Sequence, residues 1–187
     1  MKRVGVFVCH CGLNIAGTVN IKEITDAASK SPDVVVAADH RYLCSEPGQA
    51  LIKDNIKQHR LDAIVVAACS PAMHEITFRN IARAAGLNRY QSEIANIREQ
   101  CSWVHYNIEK ATEKAHVIIR QSTEKVKLNE LLDPITVPVT RKALVVGGGI
   151  AGIRAALDVA NSGHQVYRNP HTQLAYTEPD EILICIR

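Results

Sequence analysis

Six cysteines are the residues in this chain best suited to chemistry, and their placement is uneven. Cys9 and Cys11 stand one residue apart in "VFVCHCGLN", where a β-branched and aromatic run ends. Cys44 lies in "RYLCSEPG", Cys69 in "VVAACSPAMH", Cys101 in "NIREQCSWVH" and Cys185 in the terminal "LICIR". Thiolates can bind metal, exchange electrons or act as nucleophiles, and protonated thiols are also ordinary small core groups. No apolar run reaches the roughly 18 residues of a membrane span. The apolar part of "MKRVGVFVCH" is shorter than the about 7 to 15 residues of a signal peptide. The chain therefore reads as cytoplasmic, starting on its first strand. In a reducing compartment structural disulfides are not expected, which leaves metal ligation, redox chemistry or burial. None of the spacings is the compact C-x₂-C of a zinc ribbon or a bacterial ferredoxin, so no local pattern decides among these.

The elements that would carry the thiols can be read from hydrophobic periodicity. Residues 4–8, 34–38, 63–68 and 90–97 read as strands, with "AIVVAA" the plainest of them. Continuous apolar runs of this kind suit a parallel sheet buried on both faces. Residues 20–30, 47–59, 74–85 and 103–131 read as helices, the first capped by Asn20 and the third ended by Gly86. Strand and helix alternate four times, which predicts an α/β fold: a doubly wound parallel sheet of the Rossmann or flavodoxin-like kind over residues 1–130. Pro134 and Pro138 interrupt residues 131–141, a linker. A second unit over 142–187 opens with "ALVVGGGIAGIRAALDVA" and is a partial dinucleotide-binding β-α-β. Its last residues, "RNPHTQLAYTEPDEILICIR", are too few to complete that fold.

With these strands, Cys9, Cys11, Cys44, Cys69 and Cys101 all fall between a strand's C-terminal end and the next helix. In a parallel doubly wound sheet those loops open on one edge, where ligands bind. Five thiols on one edge predict a shared metal or cluster site, and sulfur ligation suits either zinc or an iron–sulfur cluster. His10, His74 and His105 flank that site, with hydrogen bonding near the ligands their expected role. Cys185 stands apart in a short apolar strand. A Cys–His nucleophile such as Cys69 with His74 lacks any nameable oxyanion donor or base-orienting group.

Gly147, Gly149 and Gly152 stand in G-x-G-x-x-G register between a strand and a helix, the arrangement that seats a pyrophosphate on a helix N-terminus. The acidic residue expected about 20 positions later is replaced by Arg168 and Asn169. The bulk composition is that of a globular protein: 187 residues, 47% apolar and 22% charged. A net charge of +3, with lysines and arginines scattered among acids, excludes the dense basic patch of a nucleic-acid binder.

Over residues 3–167 the chain resembles the A subunit of heterodisulfide reductase and its bacterial relatives. The resemblance rests on "VGVFVCHCGLNIAG", "YLCSEPGQALIK", "VVAACSPAMHEITFR", "NIREQCSWVH" and "ALVVGGGIAGIRAALDVA". It implies an iron–sulfur flavoprotein that moves electrons inside a multi-subunit complex. In methanogens that complex reduces the coenzyme M–coenzyme B heterodisulfide by flavin-based bifurcation. It implies a [4Fe–4S] cluster on Cys9, Cys44, Cys69 and Cys101, with Cys11 a fifth candidate, and FAD rather than NAD at Gly147, Gly149 and Gly152. After Tyr167 the chain departs from the family, lacking the acidic ribose ligand and the rest of the flavin domain. The expected role is therefore an electron-transfer module that works with partner subunits and redox carriers and is not catalytically complete alone. The alternative is a non-redox assembly or zinc-binding module.

Overall fold

The computed structural model describes residues 2–139, 141–169 and 182–185, and the side chains of all of these except 168, 169 and 182–185. The chain divides into two units, Met1–Asp133 and Pro134–Arg187.

In the first unit four strands, β1 (Val4–Cys9), β2 (Val34–His40), β3 (Ala63–Ala68) and β4 (Ser92–Asn96), form one sheet in the order β2-β1-β3-β4. All three pairings are parallel. Every residue of β1 and β3 is buried, because helices cover both faces of these two central strands. Alternation along each strand sorts the core into two layers. Val4, Val6, Val8, Val65 and Ala67 pack with helices α2 (Ile21–Ser29) and α5 (Ile108–Leu128). Phe7, Cys9, Ile64 and Val66 pack with α3 (Glu46–His59) and α4 (Pro71–Ala84). A one-turn helix, α1 (Leu13–Ala16), follows β1, and a π-helical turn, Arg98–Ser102, follows β4.

The doubly wound parallel fold expected from the sequence is present, and two of its details differ. Neither α1 nor the π turn is expected from periodicity. The helix expected from residue 103 begins at Ile108, where the Asn107 side chain accepts from Lys110 N at 2.9 Å. Trp103 and Val104 mimic helical periodicity but are more than half exposed and lie outside the helix.

The second unit holds strand β5 (Lys142–Val146), helix α6 (Ile150–Asn161) and strands β6 (Gln165–Asn169) and β7 (Ile182–Cys185), with parallel sheet order β6-β5-β7. Gly147, at φ 120°, makes the turn from β5 towards α6. A Cβ at Gly152 would collide with the Gly147 carbonyl oxygen, so this glycine lets the helix approach the turn closely. Gly149 caps α6 without any side-chain bond to the free amides.

Candidate metal centre at the carboxyl edge of the sheet

Strands β1 and β3 are neighbours in space, while the chain runs to opposite sides of them through β2 and β4. That is the switch point at which doubly wound sheets bind ligands. Cys9 ends β1, and Cys69 directly follows β3.

Cys9 is buried, and its sulfur lies within reach of two backbone amides, Cys11 N at 3.3 Å and Leu43 N at 3.4 Å. Cys11 and Gly12, whose torsions follow that amide, both adopt positive φ, 48° and 61°. Glycine accepts that conformation readily; at Cys11 it is uncommon and strained. Burial raises the Cys9 thiol pKa, and the two amides oppose that rise. Charge on Cys11 or Cys44 would raise it further, which places those two thiols in its electrostatic neighbourhood.

Cys44 and Cys69 share a setting. Each stands immediately before the serine that caps a helix: Ser45 at α3, accepting from Gly48 N at 3.4 Å, and Ser70 at α4, accepting from Ala72 N at 3.3 Å. Proline occupies the first turn of both helices. The repeated Cys-Ser with proline close behind, legible in "LCSEPG" and "ACSPA", therefore sets each cysteine just ahead of a helix N-terminus. Burial pushes the Cys69 thiol up to about 11, the Arg98 charge opposes this, and charge on Cys11 or Cys9 adds to it. Cys44 is exposed.

Cys101 is placed differently. It sits inside the π turn and is fully buried in the layer with α2 and α5, on the sheet face opposite Cys9. Its thiol donates to the Ala111 carbonyl at 3.0 Å. Burial raises its pKa, and the Lys114 charge opposes this. Cys9, Cys11, Cys44 and Cys69 thus lie at or just beyond the carboxyl ends of β1, β2 and β3, while Cys101 is buried in the core. The flanking histidines are partnered elsewhere. His10 pairs with Asp39 at 2.7 Å, His105 Nδ1 donates to the Cys101 carbonyl at 2.8 Å, and His74 packs edge-on to Phe78. Among the described residues no three His, Cys, Asp or Glu side chains are gathered tightly enough to hold a single ion.

One residue at this edge does not stand out in the sequence. Arg98 directs Nη1 at the Cys11 sulfur (3.2 Å) and Nη2 at the Met73 sulfur (2.9 Å) and the Glu99 carboxylate (2.7 Å). Its guanidinium lies 4.7 Å from the Trp103 ring centroid. The signal is an arginine three residues before a cysteine, in a loop that the strand order assigns to the site. The side chains of Arg168, Asn169 and Cys185 lie outside the described residues.

The chain matches no protein-family model. It is 54% identical over 90% of its length to a protein of Archaeoglobus profundus named as like the heterodisulfide reductase A subunit. Over 88% of its length it is 53% identical to the second of two iron–sulfur A subunits of CoB–CoM heterodisulfide reductase from Methanopyrus kandleri. Over the same share it is 51% identical to the A subunit of H₂:CoB–CoM heterodisulfide, ferredoxin reductase of Methanothermobacter marburgensis. The chain is homologous to the heterodisulfide reductase A subunit. It spans about a quarter of the length of these relatives, 24% of the first and 25% of the other two. The resemblance stated from the motifs is thereby shown.

Proposed function

We propose that the first unit is a cytoplasmic iron–sulfur electron-transfer module of a protein like the heterodisulfide reductase A subunit, with Cys9, Cys11, Cys44 and Cys69 holding a [4Fe–4S] cluster. The observation that carries this is the Cys9 sulfur, buried yet approached by two amide donors and neighboured by three further thiols. Two N–H donors favour the thiolate, as a ligand sulfur requires, and they outnumber the single contact that suits the protonated thiol, to the Arg41 carbonyl at 3.9 Å. The donor set fits the group. All four ligands are soft sulfurs, two of them at helix N-termini. Thiolates on one zinc ion stand within about 4 Å of one another, given Zn–S bonds of about 2.3 Å. Thiolates on a cluster each bind a different iron and stand farther apart. When bound, such a cluster accepts and releases single electrons. The protein's part is to hold the sulfurs, exclude water through the buried β1 and β3 ends, and supply N–H donors.

Exposed apolar side chains ring the same edge: Leu13, Tyr42, Met73, Trp103, Val104 and Tyr106. Each follows a strand's carboxyl end, so the rim suits docking of partner subunits or redox carriers. In the second unit, Gly147, Gly149 and Gly152 form a turn suited to the FAD pyrophosphate.

The test is a set of single Cys→Ala variants purified without oxygen. Loss of iron is expected for Cys9→Ala, Cys11→Ala and Cys69→Ala, loss or conversion for Cys44→Ala, and full iron content for Cys101→Ala. Retention in Cys11→Ala with loss in Cys101→Ala would transfer the fourth ligand to Cys101. Zinc in place of iron in the parent chain would replace the electron-transfer reading with a zinc-binding one.

A further inference from the structure

The Arg98 guanidinium is a fixed cation, 11% exposed, enclosed at the site edge by four neighbours. It holds the Cys11 sulfur at 3.2 Å and the Met73 sulfur at 2.9 Å, and its Nη2 shares the Glu99 carboxylate at 2.7 Å. The Trp103 ring covers its face at 4.7 Å. Its five donors and planar face serve three kinds of partner together, which a lysine cannot do. Glu99 compensates the charge in part: one carboxylate oxygen meets Arg98, and the other, Oε2, is buried without a hydrogen-bond partner among the described residues. Arg98 is largely covered, and its guanidinium joins the sulfur of the loop after β1 to a sulfur of α4.

We infer that Arg98 is a positioning and tuning residue for the proposed cluster, its charge at the Cys11 sulfur setting the reduction potential against the opposing charge of Glu99. The inference rests on the cluster reading above. One-electron reduction by an external reductant adds a negative charge to the thiolate-bound site while forming and breaking no bond in the protein. A cation hydrogen-bonded to a ligand sulfur stabilises the more negative state and raises the potential; a carboxylate beside that cation lowers it. The two residues therefore act with opposite signs.

The test is an EPR-monitored redox titration of the 187-residue chain, purified without oxygen, against Arg98→Met, Arg98→Lys and Glu99→Gln. Arg98→Met is expected to lower the ratio of reduced to oxidised cluster at fixed potential by tenfold or more, about 59 mV for a one-electron couple. Arg98→Lys keeps the charge and is expected to fall between Arg98→Met and the parent chain. Glu99→Gln is expected to shift the potential upwards. A merely structural role would not produce shifts of opposite sign at adjacent residues. If Arg98→Met folds, by circular dichroism, but holds no cluster, the Glu99→Gln shift decides: an upward shift supports the assignment and its absence overturns it. Unchanged potentials in all variants, or Arg98→Lys matching Arg98→Met, overturn it while leaving the cluster in place. A parent chain without iron overturns both readings.

Discussion

At the scale of single residues, the site is a balance between burial and donation. Cys9, Cys69 and Cys101 are all buried thiols whose pKa values are raised, chiefly by desolvation. Each therefore favours the folded state in its protonated form. The stability this brings is complete below the unfolded thiol value of about 8.5, and it is lost as the pH rises through the folded value, about 11 for Cys69. In metal-free protein, unfolding free energy is expected to fall between about pH 8.5 and 11, with Cys69 contributing on the order of 2 kcal/mol. Cys69→Ser removes that group, so its denaturation midpoint should decline less over the same interval. Equal declines in the two proteins would show that Cys69 is not desolvated as described. At the same residue scale one expected ligand is set apart from the others. Cys101 lies after β4 as expected, but the π turn rotates its side chain to the opposite sheet face, where Ala111 accepts from it.

At the scale of elements, most of the frame is legible because buried parallel strands advertise themselves. β1 and β3 are unbroken apolar runs, and the spacing between strands leaves room for one helix each time. What escapes the sequence are the short pieces that aim the thiols. α1 has four residues and depends on the positive φ of Cys11 and Gly12, a conformation that no periodicity encodes. The π turn has five residues, two of them the charged pair Arg98 and Glu99. The Cys-Ser capping repeat is visible in the letters, but its meaning depends on knowing where α3 and α4 begin. The loop carrying Cys44 is fixed by another close approach. A Cβ on Gly48, in the first turn of α3, would collide with the Tyr42 carbonyl and the Leu43 backbone. Those are backbone atoms, and Leu43 is the residue whose amide meets the Cys9 sulfur. Gly48→Ala is expected to destabilise the first unit by about 1–3 kcal/mol, read as a lower thermal midpoint in metal-free protein. An unchanged midpoint would mean that the Tyr42–Leu43 backbone yields freely and does not fix the Cys9 environment.

At the scale of the whole molecule, the two units carry two different kinds of ligand geometry. The first presents sulfur at a sheet edge; the second presents a glycine turn at a helix N-terminus. Among the described residues no helix is long and apolar enough to cross a membrane. The relatives that share half of these residues include one named as an iron–sulfur protein of its complex, and the chain spans about a quarter of such proteins. Electron transfer within a larger assembly is the activity we propose for the sulfur edge and its apolar rim. The amide donors at Cys9 and the Arg98 charge at Cys69 both oppose the rise that burial imposes on these two thiols. The direct test is the iron and acid-labile sulfide content of the 187-residue chain prepared without oxygen. About four irons and four sulfides per chain, with an EPR signal after dithionite, are expected from a [4Fe–4S] site. A folded chain carrying zinc alone, or no metal at all, would contradict the central claim.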